Sequence, residues 1–186
     1  MHSRNHCYYD KSGVFLILTG TDTFSEAVET REKDRNMRVH IGTDHAGFAE
    51  KEELVKWLKS QGYEVVDHGA LTFNSEDDYP GFCIACAQGV VEDPGSLGIV
   101  IGGSGNGEQM AANLVDGIRA ALVWNPEVAS LARLHNDANV ISLGARQHSI
   151  AEMQELTKVF LETKFSGEAR HARRIAQMRD FEAARK

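Results

Sequence analysis

The sequence has few cysteines, no long apolar segment and no excess of positive charge, and each shortage argues against a class of protein. Three cysteines in 186 residues cannot form a disulfide framework, so we expect a cytoplasmic protein. No apolar run reaches the ~18 residues that suggest a transmembrane helix. The run VFLIL at 14–18 is also too short for a signal-peptide core. The formal net charge of −7 argues against nucleic acids and anionic membranes as partners.

Chain length favours one domain with a substantial core over two domains. Residues 1–36 differ from the rest, because they show no clear hydrophobic period and end in the charged run TREKDRN. We interpret residues 1–36 as an N-terminal extension, either disordered or translated from an upstream start codon, and residues 37–186 as a single domain. Within the extension, VFLILTG at 14–20 could still form a strand.

Beyond residue 36, short runs rich in Val and Ile alternate with helical patterns. The runs at 38–42, 63–68, 97–102, 118–123 and 139–144 are typical of strands buried on both faces of a parallel sheet. Pro80 and Pro126 are placed to open helices, SIAE at 149–152 is a capping box, and a last helix is expected over about 167–184. The alternation predicts an α/β fold, a Rossmann-like doubly wound αβα sandwich with a five-stranded parallel sheet and an extra C-terminal helix.

This topology also predicts where a ligand would bind. Open parallel sheets bind ligands beyond the carboxyl ends of their strands. The segments TDHAG at 43–47, GGSGNGE at 102–108 and GARQH at 144–148 follow the first, third and fifth predicted strands. We therefore expect these three segments to emerge at one edge of the sheet.

The segment GGSGNGEQ at 102–109 combines four glycines with a carboxylate, Glu108. It lacks the Lys-Ser/Thr ending of a phosphate-binding P-loop and the spacing of a dinucleotide fingerprint, and a glycine-rich turn can be purely structural. The functional alternative is a transient anion. Backbone amides stabilise negative charge, and a carboxylate beside them can create that charge by removing a proton from carbon. Ser104 could add a hydroxyl donor.

These segments resemble a known family. The motifs are TDHAG at 43–47, DDYPGFC at 77–83, GSLGIVIGGSGNGEQMAAN at 95–113, ARLHND at 132–137, GAR at 144–146 and RHARR at 170–174. Together they are similar to the type B ribose-5-phosphate isomerases, over nearly all of 37–186 and none of 1–36. Within that family the carbon base is either a cysteine in the loop or a glutamate after it. Glu108 resembles the glutamate of the actinobacterial members.

The resemblance implies a cofactor-free and metal-free interconversion of ribose 5-phosphate and ribulose 5-phosphate. His135, aided by Asp44, would open the sugar ring, and Glu108 would carry the proton from C2 to C1. The loop amides, with the Ser104 hydroxyl, would stabilise the enediolate; the loop residues are Gly103, Ser104, Gly105, Asn106 and Gly107.

The same resemblance implies the residues that bind the substrate. His45 would help hold the phosphate, Asn136 would bind hydroxyls, Asp44 would contact sugar oxygens, and Tyr79 would line the pocket. Arginines with a planar fork suit a phosphate clamp, and we assign that role to Arg146, Arg170 and Arg174. Each residue also has an ordinary structural alternative: helix capping for Asp44 and His45, a helix-end contact for His135, aromatic packing for Tyr79 and a solvated basic face for the arginines.

His135 and Asn136 precede the fifth predicted strand, so they belong to the sheet edge opposite Glu108. Their proposed roles require a second subunit, and we predict a homodimer, possibly paired into a tetramer, with active sites at the interface. Two other functions stay open: isomerisation of a six-carbon sugar phosphate such as allose or galactose 6-phosphate, and a non-catalytic sugar-phosphate-binding module. Cys83 and Cys86 form a CxxC, which we interpret as packing within a buried helix.

Overall fold

The computed structural model describes His6–Tyr9, Phe15–Leu18 and residues 37–185. The chain divides between residues 36 and 37 into two units. In the first unit, β1 (His6–Tyr9) and β2 (Phe15–Leu18) pair antiparallel, with Tyr9 opposite Phe15. The strand considered for VFLILTG is therefore present as β2. The origin of residues 1–36 and any disorder in them lie outside the described residues and stay predictions.

The second unit contains a five-stranded, all-parallel sheet, as the sequence predicts. Its strands are β3 (Arg38–Thr43), β4 (Glu64–Asp67), β5 (Leu97–Gly102), β6 (Ala120–Leu122) and β7 (Val140–Gly144). Their spatial order is β4-β3-β5-β7-β6. All residues of β5 and β7 are buried, which fits their continuous apolar runs.

Six helices connect or follow these strands: α1 (Phe48–Ser60), α2 (Tyr79–Glu92), α3 (Asn106–Ala112), α4 (Pro126–Asn136), α5 (Ile150–Glu162) and α6 (Ala169–Ala183). The capping residues act as the sequence predicts. The Asn125 side chain accepts from the Val128 N–H at the start of α4, and Ser149 with Glu152 forms a capping box on α5. None of the helices in the described part of the chain has the length and apolar character of a membrane span.

Helices cover both faces of the sheet. Leu54 of α1, Ala129 of α4 and Phe160 of α5 share one buried cluster with residues of β3, β5 and β7. Cys83 of α2 and Ala112 of α3 belong to a second cluster on the other face. The doubly wound sandwich is thus confirmed.

Both cysteines of the CxxC are buried free thiols, as a packing role predicts. Burial raises the pKa of the Cys86 thiol to about 12, and it raises the pKa of Cys83 as well. Neither thiol is therefore a ready nucleophile at neutral pH.

Strand β6 is shorter than the predicted 118–123, and a side chain occupies its free edge at Ala120. The Asn113 amide group accepts from Ala120 N at 2.8 Å and donates to Ala120 O at 3.0 Å. These bonds satisfy the backbone of an edge strand that pairs only with β7. A side-chain partner of this kind protects an exposed edge from pairing with another chain.

The order of the strands places a topological switch point between β3 and β5. From β3 the chain passes to α1, and from β5 it passes to α3, which lies on the opposite face. The loops at the carboxyl ends of these neighbouring strands therefore diverge. In doubly wound sheets such a switch point is the usual place for a ligand.

Candidate active site

The ends of β3 and β5 are hydrogen-bonded to each other at this switch point. The Thr43 hydroxyl at the end of β3 donates to the Ile101 carbonyl of β5 at 2.8 Å. The next residue, Asp44, is buried, and its carboxylate accepts from Ala46 N at 2.9 Å. The capping role considered for Asp44 is therefore present, and Asp44 also lies close enough to Glu108 for its charge to raise the pKa of that carboxyl group.

The glycine loop is held in a shape that only glycine permits at Gly105. This residue has φ of 82°, and a Cβ built on it would lie 2.7 Å from Leu122 Cδ1. Its carbonyl accepts from the buried Ser142 hydroxyl at 2.6 Å. The Ser104 hydroxyl is exposed and lies 3.3 Å from Asn106 N. The loop leads directly into α3, a helix of seven residues.

Glu108 lies in the first turn of α3 and is only 5% exposed. Its carboxyl group lies against Gly102, in the space that a Cβ there would fill. Burial raises the pKa of Glu108, and the nearby charge of Asp44 raises it further, although the N–H groups of Glu108 and Gly105 partly oppose the shift. A buried carboxylate with a raised pKa is suited to accept a proton near neutral pH.

Two further predicted residues pack against the same loop. The Tyr79 hydroxyl lies 2.6 Å from where a Cβ on Gly107 would be, so the phenol contacts the loop directly. The Arg146 guanidinium lies 3.2 Å from the equivalent position on Gly103. Arg146 N also donates to Gly103 O at 3.1 Å. The structure therefore brings Tyr79 and Arg146 to the loop that carries Glu108.

His45, in the short helical turn after β3, is hydrogen-bonded to a residue that the sequence did not single out. Asp77 Oδ1 accepts from His45 N at 2.8 Å and also lies 2.8 Å from His45 Nδ1. The hydrogen bond to Asp77 raises the pKa of His45, and the charge of Asp44 adds to the effect. Asp77 opens the quoted motif DDYPGFC, but its contact with His45 joins residues 32 positions apart and depends on the tertiary fold.

Asp44, His45 and Asp77 each present a potential metal-ligand atom within 4.8 Å of the others. These residues could accommodate a small cation. However, His45 Nδ1 already has a hydrogen-bonded partner in Asp77, and the imidazole presents that same nitrogen to both carboxylates. We interpret the group as a hydrogen-bonded cluster.

A second group of predicted residues lies at the amino-terminal edge of the sheet. His135 and Asn136 end α4 just before β7, and the Asn136 carbonyl accepts from Arg119 Nε at 3.0 Å. The His135 ring lies 4.2 Å, centre to centre, from the ring of His171 in α6. His171 is buried, and its Nδ1 lies 3.0 Å from the Ser166 hydroxyl. The sequence assigned no role to His171, although it lies in the quoted motif RHARR.

Arg170 and Arg174 are exposed on α6, whose first turn carries His171. Arg170 Nε pairs with Glu168 at 2.8 Å. The predicted site residues thus form two groups on one chain. Asp44, His45, Tyr79, the loop, Glu108 and Arg146 lie at the carboxyl edge, whereas His135, Asn136, Arg170 and Arg174 lie with the elements of the amino edge.

Residues 39–178 match the sequence profile of the Ribose/Galactose Isomerase family. The chain belongs to this family. It is 51% identical over 146 residues to the ribose-5-phosphate isomerase B of Mycobacterium tuberculosis, which covers 78% of this chain and 90% of the relative.

Solved structures of the Ribose/Galactose Isomerase family share the fold. Ribose-5-phosphate isomerase B of Clostridium thermocellum superposes with a TM-score of 0.77 at 39% identity, over 81% of this chain and 100% of that one. The enzyme of Mycoplasma genitalium, solved with bound ribulose 5-phosphate, superposes with a TM-score of 0.76 at 38% identity, over 79% and 97% of the two chains. The α/β sandwich is therefore the fold of the family.

Proposed function

We propose that this protein is an aldose–ketose isomerase that interconverts D-ribose 5-phosphate and D-ribulose 5-phosphate, a step of the non-oxidative pentose phosphate pathway. The observation that carries the proposal is the buried Glu108 carboxyl group beside the glycine loop, in a chain 51% identical to a ribose-5-phosphate isomerase B. The cytoplasmic location, predicted from the cysteine content, belongs to the same proposal.

The reaction begins with the closed sugar. His135, aided by Asp44, moves the proton that opens the ring and frees the C1 aldehyde. Glu108 then removes the proton from C2, and the electron pair of that C–H bond moves toward the C1 oxygen to form an enediolate. The negative charge is stabilised by the loop amides of 103–107 and by the Ser104 hydroxyl. Glu108 returns its proton to C1 while the proton of the C2 hydroxyl passes to the C1 oxygen. C2 becomes the carbonyl carbon, and the ketose results with no net change in oxidation.

The raised pKa of Glu108 supports this role. A carboxylate that is poorly solvated is a stronger base than one in water, and a raised pKa brings the group closer to the operating pH, where a catalyst that both takes and returns a proton works best. The base must be ionised to begin the reaction, so the raised pKa also sets the acidic limit of activity.

The substrate phosphate would be bound by Arg146, Arg170, Arg174 and His45, since arginine forks match phosphate oxygens. Replacing Arg170 or Arg174 by Ala should raise KM for ribose 5-phosphate about tenfold or more, the effect of losing one charge-assisted hydrogen bond. Arg179→Ala is the matched control, because nine residues along a helix place it on the opposite side of α6 from Arg170. An unchanged KM in both test variants would remove α6 from the phosphate site.

A homodimer completes the site in this proposal. Glu108 and the pair His135 and Asn136 lie at opposite sheet edges of one chain, so one substrate can contact both only if a second subunit supplies one set. Complementation tests this arrangement. Glu108→Gln and His135→Asn each inactivate a site, but unfolding and refolding the two together would place one intact site in each mixed dimer. Roughly a quarter of wild-type activity should return, whereas sites within single chains would recover none.

The reaction itself is tested by incubating the protein with ribose 5-phosphate and following ribulose 5-phosphate spectrophotometrically. In deuterium oxide the C2 hydrogen should exchange with solvent through the enediolate. Turnover without any exchange would argue against the enediolate. An absence of turnover by the folded protein would leave a non-catalytic sugar-phosphate-binding role, which gives no reason for the buried carboxyl group of Glu108.

A six-carbon sugar phosphate is the second candidate substrate, because the family that the chain belongs to is described as acting on ribose or galactose. The comparison of kcat/KM for ribose 5-phosphate with those for allose 6-phosphate and galactose 6-phosphate decides between them. A higher value for either six-carbon substrate would reassign the enzyme within its family.

A further inference from the structure

We infer that Asp77 is a positioning residue that fixes the imidazole of His45, so that the opposite ring nitrogen, Nε2, donates a hydrogen bond to an anionic oxygen of the substrate. The inference rests on the proposed function, because the anion is the sugar phosphate of that reaction. It adds a residue outside the substrate contacts assigned above, acting through His45.

Hydrogen-bond chemistry sets the protonation of one ring nitrogen. His45 Nδ1 lies 2.8 Å from Asp77 Oδ1 and 3.3 Å from the Asp77 carbonyl oxygen. An ionised carboxylate and a carbonyl can only accept, so Nδ1 must carry the hydrogen. In the neutral ring, Nε2 would then be a bare acceptor and would repel a phosphate oxygen. Phosphate binding through Nε2 therefore requires the imidazolium form.

The charges around the ring favour that form. Among the described residues, the charged groups that interact with His45 are the carboxylates of Asp77 and Asp44. The Asp44 Oδ2 atom lies 3.9 Å from His45 Nδ1. Their combined effect, led by the hydrogen bond to Asp77, raises the pKa of His45. Asp77 Oδ2 is buried and has no hydrogen-bond partner, so the carboxylate depends on an adjacent cation to offset the loss of water.

Asp77 is not the N-cap residue of α2. The residue that caps this helix is the next one, Asp78, which is exposed and whose side chain makes no cap hydrogen bond. Besides the ring, Asp77 Oδ1 holds the backbone N–H of His45 at 2.8 Å. Asp77 therefore bonds to both the backbone and the ring of His45, which fixes the direction of the imidazole as well as its charge.

The direct test is nitrogen-detected NMR of the histidine rings in the unliganded protein. Wild-type His45 should carry hydrogen on Nδ1 and titrate above the ordinary histidine pKa of about 6.5. In Asp77→Asn the His45 titration should move to lower pH, while Asp78→Asn should leave it unchanged. A wild-type His45 that titrates at or below the ordinary value, or one that is unaffected by Asp77→Asn, would overturn the inference whether or not the protein is an isomerase.

Steady-state kinetics separate positioning from a general structural role. At pH 7.5, Asp77→Asn should raise KM for ribose 5-phosphate roughly tenfold with little change in kcat, since one charge-assisted contact is lost. The ratio of mutant to wild-type KM should fall toward pH 6, where the His45 cation forms again. A ratio that is independent of pH would contradict an effect through the imidazole.

A double-mutant cycle provides the last arm. In a His45→Gln background, Asp77→Asn should have almost no further effect on KM. The carboxylate charge acts through the ring, and an Asn Oδ1 can still accept from the backbone N–H of residue 45. An equal effect in both backgrounds would make Asp77 a structural residue. Inactivity of the wild-type protein would count against the proposed function alone, because the NMR titration does not depend on turnover.

Discussion

Replacing Glu108 by Gln tests the central feature of the site, because it removes a base and changes little else. The side chain is 5% exposed and lies against Gly102, so a substituent of the same shape keeps the packing. Removal of a general base typically costs about 10²–10⁴ in rate, which corresponds to about 3–5 kcal/mol of transition-state stabilisation. We expect a loss of kcat in this range with KM nearly unchanged.

Stability should move in the opposite direction from activity. Because folding raises the pKa of Glu108, this carboxyl group keeps its proton to a higher pH in the native state than in the unfolded chain. The ionised group therefore reduces stability, and the reduction grows as pH rises from the usual glutamate pKa through the raised one. Since Gln is neutral at all pH values, the variant should have an equal or higher Tm at pH 8.

The assays are initial rates on ribose 5-phosphate, exchange of the C2 hydrogen in deuterium oxide, and thermal unfolding at pH 5 and pH 8. Glu155→Gln, an exposed substitution on α5, is the control and should change none of these quantities. A Glu108→Gln variant with kcat within about tenfold of wild type would show that Glu108 is not the base, since base removal gives a larger loss. A variant that loses turnover but not C2 exchange, or the reverse, would show the same.

Three further predictions concern the glycine loop, the pH dependence of kcat and the buried Lys51. Gly105→Ala should lower both Tm and kcat, because φ of 82° strains alanine and the new Cβ would lie 3.1 Å from the Leu143 backbone. Thermal unfolding and initial rates measure the two effects, and a variant with unchanged Tm and kcat would contradict the prediction. The acidic limb of the kcat profile should have its midpoint above the ordinary Glu value of about 4.3, and Glu108→Gln should abolish that limb. Lys51→Ala should destabilise the fold by about 3 kcal/mol in urea unfolding, because Lys51 is fully buried and its Nζ lies 2.6 Å from Asp67; Lys56→Ala, at an exposed pair, is the control.

The local sequence carries enough information to predict most of the fold. The apolar runs at 97–102 and 139–144 are buried on both faces, so they show no alternation and indicate parallel strands. Asn125 and Ser149 predict where their helices begin, because an N-cap side chain accepts from the backbone N–H three residues later. The glycine loop is equally local, since its shape depends on which positions can adopt positive φ.

Contacts between distant segments were beyond that reasoning. Asp77 and His45 are 32 positions apart, and the loop before α2 brings Asp77 to the turn after β3. The contact of His135 with His171 likewise depends on α6 packing against α4. The two hydrogen bonds between Asn113 and Ala120 at the edge of β6 follow from no hydrophobic period in the sequence.

The sequence by itself determined the chemistry available: a carboxylate after a glycine loop, histidines and arginines in recognisable motifs. Chain order also placed His135 and Asn136 at the sheet edge opposite Glu108. Tertiary structure alone decided that Asp77 bonds to His45 and that His135 lies against His171. The physical reason is range. Caps, turns and hydrophobic periods are settled within a few residues, whereas strand order and burial, which set distances and the pKa of Glu108, depend on the packing of the whole domain.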